Sequence, residues 1–372
     1  MQIEYMGFGA IEKLRDIIKE LRPVNIFLVT GKESYDKNMK HIIEPLISSC
    51  IIKHFSAFSQ NPRFSEVEEG IRQFGQKSYD MILAVGGGSA IDVAKMINIF
   101  SAQKCTSIEC MQGDVKINKK GKVLVAVPTT AGSGSEATRF AVVYHDNVKY
   151  SVDHDFLIPD YAIIDPQLSA SLPAKITASS GMDALCQAIE SYWCVNSCEE
   201  SKAFAKEAII LVLKNISKAV NAPTIKSRHE MAKAANLSGK AINITKTTAS
   251  HAMSYAITTY FGIPHGHAVA LTLGKMLVFN SEVNDDDCND SRGAEYIREA
   301  IQDICDIMDA ASPISANVKL KLLMREIGLE PELSKILKTK ENIALVAKNV
   351  DASRLSNNPR KMSEDDIIKI LS

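Results

Sequence analysis

Four short apolar runs in the first 170 residues constrain the fold of this chain more than any other feature of the sequence. Each run ends in turn-forming or polar residues, and the runs are VNIFLVTG (24–31), MILAVGGG (81–88), VLVAVPTT (123–130) and YAIIDP (161–166). An amphipathic stretch at 65–77 lies between the first two runs. Apolar strands that alternate with helical segments are typical of a doubly wound α/β domain, which binds ligands at the carboxyl ends of its strands. We therefore predict an α/β N-terminal nucleotide-binding domain over residues 1–170.

The pattern changes in the second half of the chain. From about residue 175 onward no convincing strand is found, and long segments have a 3.6-residue apolar period, for example 200–220, 228–245 and 294–309. The sequence therefore predicts an all-α C-terminal domain over residues 171–372. Two domains also suit the length of 372 residues, because single hydrophobic cores stop growing at roughly 250 to 300 residues.

Composition argues against several classes of partner. The chain has 43 Lys and Arg against 44 Asp and Glu, a formal net charge of -1, so we expect no nucleic acid or anionic membrane as partner. The first residues are charged and amphipathic, unlike a signal peptide, and no apolar run is long enough to span a bilayer. The eight cysteines include no CxxC pair, and we expect reduced thiols. These features predict a cytoplasmic protein.

Two loops of small residues are predicted to bind a nucleotide. In GGGSAIDVAK (86–95) the glycines follow a strand and open a helix, so the backbone can approach a pyrophosphate at the helix N-terminus. PTTAGSGSEAT (128–138) follows the next strand and offers hydroxyls and backbone amides to a polar ligand. The alternatives are a tight turn and a flexible loop, respectively. The candidate cofactor-binding residues here are Gly86, Gly87, Gly88, Ser89, Asp92, Thr129, Thr130 and Ser135.

One carboxylate and two imidazoles form a candidate metal site. Asp183 lies in GMDALCQAIESYW (181–193), where its alternative role is a favourable partner of the helix dipole. His251 and His265 flank the FGIP segment, whose Gly and Pro are expected to end one helix and begin the next. Two helix ends can then present imidazoles to one point. This set of ligands suits a divalent metal such as Fe2+ or Zn2+, with an open position for a substrate oxygen.

The motifs GGGSAIDVAK, PTTAGSGSE, DAL, PHG and NNPR (357–360), taken in order over essentially the whole chain, resemble the iron-containing (group III) alcohol dehydrogenase family. The resemblance implies a Rossmann-like, dehydroquinate synthase-like nucleotide-binding domain, a helical second domain, an NAD(P)-dependent dehydrogenase or reductase, and a homodimer. It also implies the metal ligands Asp183, Gln187, His251 and His265. Gln187 stands where the family usually has a His, so this amide binds the metal loosely, through water, or not at all.

DALCQAIESYW, TKTTASHAMSY and GIPHGHAVALTL are similar to a narrower branch, the phosphonoacetaldehyde reductases (hydroxyethylphosphonate dehydrogenases). This resemblance implies the reduction of phosphonoacetaldehyde, a small anionic aldehyde, to 2-hydroxyethylphosphonate. A phosphonate needs a nearby cation, and Lys246 is the candidate, with a solvated helix lysine as the alternative. Tyr255 or His267 is the candidate proton donor, although Tyr255 is equally compatible with a buried structural role.

Coenzyme choice is predicted from the residues after the first apolar run. Gly31 and Lys32 stand where NAD-preferring relatives tend to place an Asp that binds the ribose hydroxyl, and Lys32 can contact a 2'-phosphate. We therefore predict NADPH, with NADH as the alternative. Three other functions stay open: a reductase for another small aldehyde or primary alcohol, a non-redox lyase of the dehydroquinate synthase type, and a non-catalytic binding protein.

Overall fold

Residues 2–104, 106–146, 148–350 and 352–372 are described by a computed structural model. They fall into two units, each with its own hydrophobic core. The first unit contains Met1–Thr130 and Gly134–Ser171, and the second contains Ala131–Ser133 and Leu172–Ser372.

A parallel six-stranded sheet in the order β1-β8-β5-β4-β2-β3 forms the centre of the first unit, and β6 and β7 form a separate antiparallel hairpin. The strands are β1 (Ile3–Met6), β2 (Asn25–Thr30), β3 (Ile51–Phe55), β4 (Met81–Gly86), β5 (Val123–Pro128), β6 (Phe140–His145), β7 (Val148–Asp153) and β8 (Tyr161–Ile164). The helices of this unit are α1 (Lys13–Leu21), α2 (Lys32–Ser34), α3 (Lys40–Ile43), α4 (Phe64–Phe74), α5 (Gly88–Phe100) and α6 (Ser107–Gln112). A π-helical segment spans Tyr35–Met39, and 3-10 segments span Ala10–Glu12, Glu44–Leu46, Ser135–Ala137, Asp155–Leu157 and Pro166–Ser169.

The central strands are apolar along their whole length because both faces of the sheet are covered. Along β2, Phe27 and Val29 belong to one core cluster, whereas Ile26 and Leu28 belong to the other. Successive side chains of a strand point to opposite faces, so a continuous apolar run fills two cores at once. The four predicted strands are all present, and the predicted α/β nucleotide-binding fold is confirmed.

The chain reverses its direction across the sheet between β2 and β4. From β2 it moves outward to β3, and it then returns to β4 on the other side of β2. Such a switch point leaves a crevice at the carboxyl ends of the two strands, where doubly wound domains bind ligands. Gly31 follows β2 and Gly86 ends β4, and a Cβ on Gly86 would lie only 2.7 Å from the Cβ of Ala90 and 3.6 Å from the Gly31 nitrogen.

The second unit is helical, as predicted, and no strand occurs among its described residues. Its helices are α7 (Ala174–Trp193), α8 (Glu199–Asn221), α9 (Ile225–Thr245), α10 (Ala249–Phe261), α11 (His265–Ser281), α12 (Ala294–Ile307), α13 (Pro313–Glu326), α14 (Lys340–Lys348), α15 (Ala352–Leu355) and α16 (Glu364–Leu371), with a 3-10 segment at Leu333–Lys335. Helix α7 packs against α8, α9 and α11 and is buried on nearly all sides from Thr177 to Trp193. Polar side chains on α7 therefore lie inside the unit.

Two predictions from composition can be compared with the structure. Within the described ranges, no helix combines the length and the apolar composition that crossing a bilayer requires. The seven cysteines that the structure describes are free thiols, and Cys105 lies outside the described residues.

Candidate active site

The two small-residue loops follow the neighbouring strands β4 and β5 and lie side by side. The Thr129 amide donates to the Gly86 carbonyl at 3.0 Å, and a Cβ on Gly87 would lie 3.3 Å from the Thr130 hydroxyl. Helix α5 begins at Gly88 without a side-chain cap. Uncapped amides at a helix N-terminus attract phosphate groups, so this arrangement is suited to a dinucleotide.

Asp92 and Ser135 contact each other. The Ser135 hydroxyl donates to Asp92 Oδ1 at 2.5 Å, the Val142 amide donates to Asp92 Oδ2 at 3.0 Å, and burial raises the pKa of Asp92. Nearby, Lys95 Nζ donates to the Thr138 carbonyl at 2.7 Å, and burial lowers the pKa of Lys95 to about 8 despite the attraction of Asp92. These side chains brace α5 against the segment that follows β5. A direct role of Asp92 or Ser135 in coenzyme binding stays a prediction.

The remaining predicted coenzyme residues lie at the edge of the same crevice. Gly31 has an extended backbone (φ -67°, ψ 134°) and Lys32, the first residue of α2, has an exposed side chain. Ser89 is half-buried, and its hydroxyl donates to the Gln60 carbonyl. Close backbone packing explains the residue types at the glycine and threonine positions of the two loops. Contact of Lys32 with the 2'-phosphate of the coenzyme stays a prediction.

Three helices of the second unit bring the predicted carboxylate and the two imidazoles together. Asp183 lies on α7, His251 on α10 and His265 at the start of α11, and one ligand atom of each lies within 4.8 Å of the others. Asp183 Oδ1 is 3.5 Å from His251 Nε2 and 3.8 Å from His265 Nε2. Asp183 and His251 are buried, whereas the side chain of His265 is 32% exposed. The cluster therefore opens towards the solvent on the side of His265.

The chemistry of this cluster fits a divalent metal. His251 Nε2 is buried and makes no hydrogen bond with any described residue, and Asp183 Oδ1, 3.5 Å away, gives it an ion-pair contact only. Burial opposes a positive charge on His251, but the charge of Glu190 and the contact with Asp183 outweigh it and raise the pKa of His251. A cation is thus favoured between the carboxylates, and Asp183, His251 and His265 are the residues that would hold it.

A second carboxylate, Glu190, lies behind His251 and is not among the residues predicted above. It is fully buried, its Oε2 contacts His251 Nδ1, and its Oε1 accepts from the Ser250 amide at 2.7 Å. Burial raises the pKa of Glu190, but His251 outweighs that effect and the pKa is lowered. The spacing of Asp183, Gln187 and Glu190, which places all three on one face of α7, was the available signal.

Gln187 contacts the cluster through its amide nitrogen. Nε2 lies 3.3 Å from both Asp183 Oδ2 and the Ser133 carbonyl, whereas Oε1 accepts from the Ser238 hydroxyl at 3.1 Å. The oxygen, which is the atom able to bind a metal, thus faces Ser238. Gln187 as a fourth ligand stays a prediction and requires the amide to turn over.

The two predicted proton donors have different surroundings. Tyr255 is buried, and its ring stacks on that of His265 with centroids 5.9 Å apart and planes at 23°. His267 Nε2 contacts the Glu330 carbonyl at 2.7 Å, and burial lowers the pKa of His267. Tyr255 therefore contacts a candidate ligand, whereas His267 contacts the backbone of a distant loop. The role of each in proton transfer stays a prediction.

Lys246 has a backbone conformation that suits glycine. It follows the last residue of α9 and has φ 67° and ψ 177°. Two hydrogen bonds of 2.8 Å hold this conformation: the Lys246 amide donates to the Ile242 carbonyl, and the Thr245 hydroxyl donates to the Lys246 carbonyl. A non-glycine residue in this region carries about 1–3 kcal/mol of strain, and such residues cluster at functional sites. The half-buried side chain of Lys246 lies five residues before His251 in the sequence.

Comparison with known proteins assigns both units to one family. Residues 3–166 match the family model described as iron-containing alcohol dehydrogenase, and residues 177–372 match the C-terminal model of the Fe-containing alcohol dehydrogenase family. Together these two matches span nearly the whole chain.

The matches to individual relatives cover most of this chain and most of each relative. The chain is 30% identical to phosphonoacetaldehyde reductase of Streptomyces viridochromogenes over 309 residues, which are 81% of this chain and 77% of the relative. It is 28% identical to NAD-dependent methanol dehydrogenase of Bacillus methanolicus over 372 residues, which are 98% and 96% of the two chains. The crystal structure of sulfoacetaldehyde reductase from Bifidobacterium kashiwanohense in complex with NAD+ matches with a TM-score of 0.84 and 28% identity, and the match covers 100% of this chain and 96% of that one. The chain therefore belongs to the iron-containing alcohol dehydrogenase family and is an alcohol or aldehyde oxidoreductase that uses a nicotinamide coenzyme and a divalent metal.

Proposed function

We propose that the protein reduces phosphonoacetaldehyde to 2-hydroxyethylphosphonate with NADPH. The observation that carries the reductase chemistry is the cluster of Asp183, His251 and His265, which opens to solvent on one side. The anionic substrate is supported by two similar proteins, the Streptomyces phosphonoacetaldehyde reductase and the Bifidobacterium sulfoacetaldehyde reductase. Both are named for a two-carbon aldehyde that carries an anionic head group.

The residues of the cluster have separable roles in this reaction. A metal held by these three residues would supply Lewis-acid polarisation of the aldehyde oxygen, and the reduced nicotinamide would supply the hydride. Asp183 contributes the negative charge that holds the cation, and His251 and His265 contribute neutral nitrogen ligands. The Tyr255 hydroxyl, on the ring that stacks against His265, is our candidate to give a proton to the developing alkoxide.

Lys246 is proposed to bind the phosphonate. The support is its strained backbone and its position in the loop before α10, the helix that carries His251. A cation at this point would pair with an anionic head group while the aldehyde occupies the metal site. The strain is then retained because the side chain has a function.

The first test compares phosphonoacetaldehyde with propionaldehyde in the metal-loaded enzyme, with oxidation of NADPH followed at 340 nm. We expect kcat/KM to be at least about 100-fold higher for the phosphonate, which corresponds to about 2.7 kcal/mol of transition-state binding. Comparable values for the two aldehydes would instead support a general reductase of small aldehydes or primary alcohols. A lyase of the dehydroquinate synthase type would form product without stoichiometric NADPH oxidation.

Replacing Lys246 by Gly or Ala is expected to raise the KM for phosphonoacetaldehyde about 10-fold or more, because a charge-assisted contact is lost. The KM for propionaldehyde is expected to stay the same. The Gly variant is also expected to be about 1 kcal/mol more stable to urea than the Ala variant, because glycine relieves the strain at φ 67°. Lys226→Ala, which removes an exposed cation from the same helix, serves as the control. Equal effects on both aldehydes would show that Lys246 does not bind the head group.

Coenzyme preference gives a separate prediction for Lys32. The exposed side chain follows the carboxyl end of β2, the edge at which the ribose is bound in doubly wound domains. We expect Lys32→Asp to raise the KM for NADPH about 10-fold or more through repulsion of the 2'-phosphate, and to leave the KM for NADH largely unchanged. Initial rates with both coenzymes measure this. A wild-type enzyme that uses NADH as well as NADPH would contradict the assignment.

A further inference from the structure

We propose that Glu190 is a positioning residue that fixes the tautomer of His251 and thereby directs its Nε2 lone pair to the metal. The inference concerns metal binding alone, so it does not depend on which aldehyde the enzyme reduces. Its basis is the set of contacts that surround the Glu190 carboxylate in the interior of the second unit.

Both oxygens of Glu190 have defined partners. Oε2 contacts His251 Nδ1, and Oε1 accepts from the Thr248 hydroxyl at 2.9 Å and from the Ser250 amide at 2.7 Å. The Thr248 hydroxyl in turn accepts from Trp193 Nε1 at 3.0 Å. The indole N–H can only donate, so it directs the hydroxyl proton of Thr248 to Glu190. The carboxylate is therefore held by donors on one oxygen and is left to accept from His251 with the other.

This arrangement determines which nitrogen of His251 carries the proton. A carboxylate accepts hydrogen bonds and cannot donate them, so His251 Nδ1 must be the protonated nitrogen. When the ring is neutral, as it must be to bind a metal, Nε2 then carries the lone pair, and it is this atom that lies 3.5 Å from Asp183 Oδ1. Histidine ligands in metalloproteins are generally held by such a carboxylate or carbonyl, and its loss typically lowers metal affinity 10-fold to 100-fold.

Glu190 also caps helix α10, and this structural role must be separated from its proposed role in positioning His251. Its Oε1 accepts from the amides of Ser250 and, at 3.3 Å, His251, which are orphan donors in the first turn of α10. Glutamine at this position keeps a carbonyl oxygen for those amides. Its amino group, however, can only donate towards His251 Nδ1, so the ring proton moves to Nε2 and blocks the metal ligand.

Glu190→Gln therefore separates the two roles. We expect the Kd for Zn2+, measured by competition with a chromogenic chelator, to rise at least 10-fold. The metal-free variant is expected to stay folded because the cap of α10 is retained, although its urea midpoint should fall, since the charge of Glu190 beside His251 is lost. Neither measurement involves substrate turnover. Asp165→Asn is the matched control, because Asp165 is also a buried carboxylate that accepts from backbone amides but lies in the first unit.

An unchanged Zn2+ affinity in Glu190→Gln would overturn the proposal and leave Glu190 as a helix cap. Should that variant fail to fold, the pair Glu190→Asp and Glu190→Asn gives the same test with a shorter side chain. The proposal requires Glu190→Asp to bind Zn2+ at least 10-fold more tightly than Glu190→Asn. Equal affinities in this pair would also overturn it.

Discussion

Replacing His251 by Ala is expected to abolish metal retention and to lower kcat at least about 1000-fold. In this variant only Asp183 and His265 of the cluster remain as predicted ligands. Two ligands are too few for tight binding of Fe2+ or Zn2+. The expected magnitude follows from the several kcal/mol that a metal contributes as a Lewis acid, since each 1.36 kcal/mol changes a rate tenfold. Metal content after dialysis and single-substrate kinetics measure the two effects.

His229→Ala is the control for this experiment, because His229 is a half-buried histidine of α9 outside the cluster. It should retain metal and activity. Binding of the coenzyme, followed by its fluorescence, is expected to survive in His251→Ala, since the candidate coenzyme-binding residues all belong to the first unit. A His251→Ala enzyme that keeps both its metal and its turnover would refute the ligand assignment.

Gly266→Ala is expected to lower the free energy of unfolding by about 3 kcal/mol, at the upper end of the cost of overpacking a core. A Cβ on Gly266 would lie 2.0 Å from the Ser179 carbonyl oxygen and 2.7 Å from the Asp183 Cβ. The first of these atoms belongs to the backbone of α7, so it cannot be displaced by a simple rotation of a side chain. Helix α11 would have to move away from α7.

Because α7 carries Asp183 and α11 begins with His265, that movement should also separate two of the predicted metal ligands. We therefore expect Gly266→Ala to bind Zn2+ more weakly as well as to unfold at lower urea concentration. Gly75→Ala is the control, since a Cβ there would meet its nearest atom at an ordinary 3.5 Å. Wild-type stability in Gly266→Ala would show that the two helices are not held at this close separation.

The fold could be predicted well where a strand is buried on both faces, and less well elsewhere. Continuous apolar runs indicated β2, β4, β5 and β8 because those strands fill two cores. The edge strand β3 has the sequence IIKHF, in which only Phe55 is buried, so it contains no apolar run to detect. The short β1 and the polar β7 also lack such a run, whereas β6 (FAVVYH) contains one and was missed although Ala141 and Val143 are buried.

The candidate site followed a similar rule. His251 and His265 could be predicted because they flank the Gly and Pro that separate α10 from α11, whereas Asp183, which lies in the interior of α7 and not near its N-terminus, was indicated by the DAL motif. Glu190 was not predicted, although its spacing from Asp183 and Gln187 places it on their face of the helix, because a glutamate in a helix is nearly always on the surface. Helix α7 is the exception, since it is covered on nearly all sides and its amphipathic period is too weak to distinguish an outer face.

The pairing of the first and last strands of the large sheet has a consequence for how the protein is made. Ile3 in β1 pairs with Tyr161 in β8, and β8 also pairs with β5. During synthesis, β1 therefore has no pairing partner until residue 164 has left the exit tunnel of the ribosome. Ribosomes add about 5–20 residues per second. The sheet can form its β3-β2-β4-β5 portion earlier, but its last two strands join only when the first unit is almost fully synthesised. Contacts between such distant residues slow folding, so completion of this sheet edge is expected to be a late step in the biogenesis of the enzyme.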